Sequence, residues 1–253
     1  MCGLTGFLTQ QTRPEPELQA ALARMTATLT HRGPDGEGLW LEQGLALGHR
    51  RLAIVDLSPA GHQPMVSRCG RYVLAFNGEI YNHLALRREL PSQDWRGHSD
   101  TETLLAAVAH WGLPGTLPRL VGMFAIALWD REQRELQLAR DRLGEKPLYY
   151  GHLPGGDFVF GSELKALRQH PDWQGRINRS ALALYMRHNV VPGTHCIHEG
   201  LHKLAPAHCL RLRAGQAPQT SCYWDLPALA AQGPQAWAPE DAVQRLGELL
   251  DQA

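Results

Sequence analysis

Cys2 follows the initiator Met1, and removal of Met1 before this small residue would leave Cys2 with a free α-amine. An α-amine ordinarily titrates at about 7.7–8.0, low enough to act as a base near neutrality. One residue would then supply a thiol nucleophile and its proton acceptor, as N-terminal threonine nucleophiles do. Gly3 and Gly6 would allow a substrate to approach the backbone closely. Position alone, however, favours an incidental cysteine beside an initiator methionine. Acyl transfer through a thioester also needs an oxyanion hole, and Asn77-Gly78 offers a carboxamide donor and an unobstructed N–H. The same pair is common in turns. A free amino acid as substrate would need an arginine for its carboxylate and acids for its ammonium group. Arg51, Glu79 and Asp100 are candidates, although each taken singly reads as a solvated surface charge.

The elements that must position these residues follow from periodicity and turn chemistry. Residues 3–8 and 37–57 read as strands, the latter including the run Leu52-Ala53-Ile54-Val55. Leu18, Leu22 and Met25 recur at helical spacing within residues 16–28, ahead of the turn His31-Arg32-Gly33-Pro34-Asp35-Gly36. Tyr72 to Phe76 reads as a buried strand ending at Asn77-Gly78, followed by a short helix over residues 83–90. Ser99-Asp100-Thr101-Glu102 has the form of a capping box and predicts a helix from Asp100. Met123–Trp129 with Leu136–Ala139, and Tyr149–Leu153 with Phe158–Phe160, predict two hairpins. Strands this apolar on both faces suit two stacked antiparallel sheets flanked by helices, an α+β class.

Composition narrows the function classes. The 253 residues carry 25 Lys plus Arg against 25 Asp plus Glu, a balance that argues against nucleic acid or an anionic membrane as partner. No apolar run reaches the roughly 18 residues needed to cross a bilayer, and the N-terminus lacks signal-peptide form, so the expected location is cytoplasmic. Five scattered cysteines include no C-x-x-C, so they are expected to be free thiols. His195, Cys196, His198, His202, His208 and Cys209 are dense in soft ligands, but their spacing fits no standard zinc site and no metal is expected. Gly155-Gly156 lacks the following Gly-Lys-Ser/Thr of a phosphate loop and reads as a hairpin turn. Residues 213–240 shift to Ala, Gln, Pro and Gly and read as a linker. The helix after Pro239 has an apolar face of Val243, Leu246 and Leu250.

Several stretches, in order, carry a family resemblance: Met1-Cys2-Gly3, His31 to Gly36, Arg51-Leu52-Ala53-Ile54-Val55-Asp56, Asn77-Gly78-Glu79-Ile80-Tyr81-Asn82 and Ser99 to Glu102. Together they resemble the class II glutamine amidotransferases, N-terminal-nucleophile (Ntn) hydrolases with an αββα sandwich. Residues 139–150 (Ala-Arg-Asp-Arg-Leu-Gly-Glu-Lys-Pro-Leu-Tyr-Tyr) and 161–167 (Gly-Ser-Glu-Leu-Lys-Ala-Leu) are similar to the glutamine-dependent asparagine synthetases in particular. The resemblance runs from residue 2 to about 210. It implies Cys2 as nucleophile with its α-amine as base, and Asn77 with the Gly78 N–H as oxyanion hole. It further implies Arg51 on the glutamine carboxylate, Glu79 and Asp100 on its ammonium, and backbone groups of Ile54 and Val55 lining the pocket.

The implied organisation is a glutaminase domain over residues 2–212, with a linker and first synthetase helix over 213–253. The Ser-Gly-Gly-x-Asp-Ser loop that binds ATP in such synthetases does not occur. ATP and Mg are therefore expected in a synthetase domain lying outside this chain, with no cofactor in the chain itself. The expected reaction is glutamine hydrolysis, with ammonia passed to activated aspartate by a synthetase domain packed on the last helix; a homodimer is possible. Alternatives are a non-catalytic glutamine-binding module, or ammonia donation to another carboxylate such as a sugar acid.

Overall fold

The computed structural model describes residues 1–42, 44–92, 94–234 and 236–251. β1 (Gly3–Leu8) begins at the third residue, and α1 (Glu15–Ala27) follows with Glu15 and Glu17 in its first turn, where acids complement the positive helix end. The hairpin β2 (Gly36–Glu42) and β3 (Leu45–Arg51) returns to β1, setting Gly3 opposite Arg50 and Leu8 opposite Leu45. The chain crosses to a second sheet through β4 (Met65–Val66) and β5 (Tyr72–Ile80). Two helices, α2 (His83–Glu89) and α3 (Asp100–Thr116), precede the hairpin β6 (Gly122–Asp130) and β7 (Glu135–Arg140). The hairpin β8 (Tyr149–His152) and β9 (Phe158–Gly161) rejoins the first sheet and leads to α4 (Leu164–Leu167) and α5 (Arg179–His188). β10 (Leu201–Lys203) edges the first sheet, while β11 (His208–Arg213) and β12 (Gln219–Cys222) extend the second. The helices α6 (Leu226–Ala230) and α7 (Pro239–Asp251) come last. The sheet orders are β10-β8-β9-β1-β3-β2 and β12-β11-β7-β6-β5-β4, with all pairings antiparallel.

Period-two alternation distributes the strands' side chains among three apolar layers. Leu4 and Leu8 of β1 meet Val73 and Ala75 of β5 and Ala125, Ala127 and Trp129 of β6 in the layer between the sheets. The intervening residues Leu74, Phe76, Ile126 and Leu128 pack against Leu86 of α2 and Leu104, Leu105 and Val108 of α3. On the opposite side Phe7, Ala46 and Val159 pack against Ala21, Leu22 and Met25 of α1. The layers are α, β, β, α, the expected sandwich. Among the described residues no helix is long and apolar enough to cross a membrane.

Three expectations need correction. The run Leu52–Val55 is not strand: β3 stops at Arg51, whose guanidinium bonds the Ser58 and Asp56 carbonyls and turns the chain, leaving Ile54 66% exposed. Asn77-Gly78 is not a turn, since β5 runs through both and pairs them with Ala125 and Phe124 of β6. The stretch with linker composition contains β12 and α6. The capping box forms by half. Ser99 Oγ accepts the Glu102 N–H at 3.2 Å, but the Glu102 carboxylate turns to the N–H groups of Arg96 and Gly97.

Asp141 ties the second sheet to the loop before β8. It is 1% exposed, and its carboxylate accepts N–H bonds from Phe124, Leu143, Glu145 and Lys146 at 2.9–3.2 Å. Asp141→Ala strands four donors, and a buried unsatisfied donor costs about 1–3 kcal/mol. Urea denaturation should show a stability loss of at least about 3 kcal/mol; a loss below about 1 kcal/mol would mean that water replaces the carboxylate.

Candidate active site

The nucleophile candidate stands one residue before β1, where covalent connection to the fold exists on one side. Arg32, in the turn after α1, supplies a second anchor by donating from Nε to the Cys2 carbonyl at 2.9 Å. Its Nη1 donates to Glu163 Oε1 at 2.9 Å, and Glu163 also meets His31 and Lys165 at 3.1 Å each. Ser162 Oγ accepts the Leu4 N–H at 3.1 Å, and the Ser162 N–H returns to the Leu4 carbonyl. The motifs at residues 31–36 and 161–167 thus meet behind the cysteine. Gly33 lets the turn lie against β3, because a side chain there would overlap the Arg50 backbone. Gly3 and Gly6 face the protein rather than a substrate: Gly3 abuts Leu29 and Arg32, and Gly6 abuts Ala46 and Phe160.

Cys2 Sγ lies 3.4 Å from the Leu52 nitrogen and 3.6 Å from its carbonyl oxygen. Burial pushes the thiol's pKa up, against the Leu52 hydrogen bond and the positive N-terminus, so the group is un-ionised and needs a base to react. His49 does not line this pocket; it is fully buried, its Nε2 is 3.0 Å from the Phe76 carbonyl, and burial lowers its pKa to about 4.

The candidates named from sequence gather around one cavity of about 90 Å³: Cys2, Arg51, Ile54, Val55, Asn77, Gly78, Glu79 and Asp100 all line it. Asn77 is 1% exposed, and its Nδ2 has no hydrogen-bond partner among the described residues. A buried amide donor left unpaired is costly, which makes it a ready donor to a developing oxyanion. Gly78 is required by the sheet, since a Cβ there would lie 2.7 Å from Phe124 Cα and would overlap the Met123 carbonyl. Glu79 makes no ion pair among the described residues. Asp100 is held by the N–H groups of Ile80 and Thr101 at 2.9 Å each; burial nevertheless raises its pKa.

Sequence reasoning missed Asp56, Gln63, Met123 and Lys146 as lining residues. Asp56 and Lys146 lie inside the stretches that carry the family resemblance, and that position was their signal. Asp56 bonds the Ser58 N–H and the His98 N–H at 2.8 Å each, and with the Ser58 side chain these hold its pKa down at about 2. It therefore braces the 52–58 loop against the segment before α3.

The soft-ligand residues of 195–209 disperse. Cys196 packs under the first sheet and Cys209 under the second, while His198 meets Trp173 edge-on and His202 packs tilted against Tyr150. Asp157, His170 and Asp172 do converge, with ligand atoms within 4.8 Å. Arg13 Nη2, 2.5 Å from Asp172 and 3.6 Å from Asp157, already supplies the cation there. Gly155 and Gly156 lie in the β8–β9 hairpin turn, and Gly155 abuts the Asp172 carboxylate, a poor neighbour for phosphate.

Known proteins share sequence and fold with this chain. The family model of the glutamine amidotransferase domain matches residues 1–224. Asparagine synthetase [glutamine-hydrolyzing] 3 of Bacillus subtilis (strain 168) is 41% identical over 219 residues, 83% of this chain and 34% of that protein. Amidase chry2 of Gibberella zeae is 33% identical over 240 residues, 89% of this chain and 34% of its own length. The glutamine phosphoribosylpyrophosphate amidotransferase of B. subtilis superposes with a TM-score of 0.65 at 18% identity, covering 88% of this chain and 49% of that one, and shows the same fold. The chain spans about a third of the length of the curated relatives it matches.

Glu163 allows the anchor behind Cys2 to be tested. Partial burial raises its pKa, but Arg32, Lys165 and His31 outweigh this and hold it at about 2. An unfolded glutamate titrates near 4.3, so the stabilisation is complete above about pH 4.3 and is lost as pH falls through about 2. Glu163→Gln should lower Tm at pH 7, with the gap to wild type narrowing steadily below about pH 4.5. A gap independent of pH would show that packing, and not charge, holds Arg32.

Proposed function

The chain belongs to the class II glutamine amidotransferase family, and we propose that it hydrolyses glutamine to glutamate and ammonia through a thioester on Cys2. The observation that carries this is the buried Asn77 Nδ2, which has no hydrogen-bond partner among the described residues and shares a cavity with the Cys2 thiol. Removal of Met1 exposes the α-amine, which takes the thiol proton as sulfur attacks the side-chain carbonyl carbon of glutamine. Asn77 Nδ2 and the Gly78 N–H stabilise the oxyanion. Collapse of the tetrahedral adduct breaks the C–N bond, and the α-ammonium returns its proton to the departing ammonia. Water, deprotonated by the same amine, then cleaves the thioester and releases glutamate with the free thiol. Arg51 pairs with the substrate carboxylate, while Glu79 and Asp100 hold its ammonium. The backbone of Ile54 and Val55 forms the remaining wall.

In the cytoplasm the ammonia would feed an ATP-dependent amidation, with aspartate as acceptor. The similarity to asparagine synthetases supports a synthetase domain as partner. α7 offers it a surface, since Val243, Leu246 and Leu250 are 71%, 57% and 67% exposed.

Two experiments test the reading. A preparation retaining Met1 has an amide nitrogen in place of the base, and its delocalised lone pair accepts protons poorly. Methionine aminopeptidase should switch on ammonia release in step with loss of one Met by mass, and Cys2→Ala should abolish it while glutamine still binds. Full activity in chains that retain Met1 would overturn the role of the amine. Arg51→Ala removes a charge-assisted pair worth about 1.5–3 kcal/mol and should raise KM steeply with a smaller change in kcat. An amide substrate lacking the α-carboxylate should lose little. Equal losses on both substrates would reassign Arg51 to holding the 52–58 loop.

A further inference from the structure

We propose that Lys146 is a positioning residue for the base, its ammonium holding the Cys2 α-amine in the neutral, proton-accepting form. The inference rests on the glutaminase reading above and adds a residue to it. Lys146 is 5% exposed and lines the cavity with Cys2, Asn77 and Met123. Its Nζ lies 3.3 Å from Met1 Sδ, and no carboxylate among the described residues is within ion-pair distance. A thioether is a weak acceptor and a poor sole partner for a buried cation. The backbone that carries this side chain is fixed. The Lys146 N–H is held by Asp141 at 3.0 Å, its carbonyl accepts from Arg140 Nε at 2.8 Å, and Pro147 follows.

Removing Met1 takes away the thioether and creates an amine beside the same ammonium. Five covalent bonds separate Met1 Sδ from the Cys2 nitrogen, so the two nitrogens lie within roughly 10 Å of each other. Two like charges in a shielded pocket disfavour double protonation. Lysine ordinarily keeps its proton to about 10.4 against about 7.7–8.0 for an α-amine, so the amine is the group that gives its proton up. Other charges face the same space. Arg32, on the Cys2 carbonyl, and Arg51 at the end of β3 act in the same sense as Lys146. Asp56 of the 52–58 loop, Glu79 of β5 and Asp100 at the start of α3 oppose it.

The test compares pH profiles of kcat/KM for the chain beginning at Cys2, verified by intact mass, with Lys146→Met and Lys146→Arg. Removing the charge raises the amine's pKa, so the acid limb of Lys146→Met should move to higher pH by roughly 0.5–1, a three- to tenfold loss on that limb relative to its own plateau. Lys146→Arg should keep the limb where wild type has it. An unmoved limb, or a uniform loss in both variants, would overturn the proposal in favour of packing. Nuclear magnetic resonance titration of the ¹⁵N-labelled Cys2 amine in the wild-type chain gives a test independent of variant folding. Titration at or above about 7.7–8.0 would also overturn it. If the Met1-free chain releases no ammonia, the glutaminase reading fails, while the amine titration still decides the role of Lys146.

Discussion

A side chain at the second residue of a chain must be fixed by bonds it does not inherit from its own backbone. Cys2 has β1 on one side and one residue on the other, and the Arg32 guanidinium supplies the missing constraint by gripping its carbonyl. Arg32 in turn depends on Glu163, which draws in His31 and Lys165, so two segments some 130 residues apart become one clamp. Ser162, exchanging two bonds with Leu4, fixes the strand that leaves the clamp. The sandwich brings these segments together because β1 lies between β3 and β9, the strands adjoining the Arg32 turn and the 161–167 stretch.

The other half of the cavity comes from the second sheet. β5 carries Asn77, Gly78 and Glu79 on consecutive residues, and Asp100 bonds the N–H of Ile80 at the strand's end. α3 therefore starts where its first carboxylate can serve both strand and pocket. The apolar layer between the sheets sets the separation of the two halves, with Leu4 on one side and Val73 and Ala75 on the other. Asn77, Gly78 and Glu79 thus stand on the second sheet, while Cys2 and Arg51 adjoin strands of the first.

Much of this was legible in the sequence. The hairpins β6–β7 and β8–β9, the helix from Asp100 and the four-layer arrangement follow from local periodicity and punctuation, which tertiary contacts reinforce. The candidate residues also fall around one cavity. What was illegible was decided at a distance. Asn77-Gly78 has turn chemistry, but pairing with Ala125 and Phe124 overrides it. Leu52–Val55 has strand composition, but the Arg51 side chain turns it into a loop. Lys146 and Asp56 gave no local sign of burial, because what buries them arrives from other segments.

The closeness of β5 and β6 at Gly78 has an evolutionary consequence. Every residue other than glycine would press its Cβ into the neighbouring strand, so substitutions at 78 fail on folding before chemistry is consulted. A mutational scan scored by abundance would find this position as intolerant as one scored by turnover. Charges without a structural bond, such as Glu79, which makes no ion pair among the described residues, would by contrast stand out under turnover selection alone. A lineage that ceased to use glutamine could shed those charges by drift while still carrying the glycine, a fossil of the site preserved by the sheet.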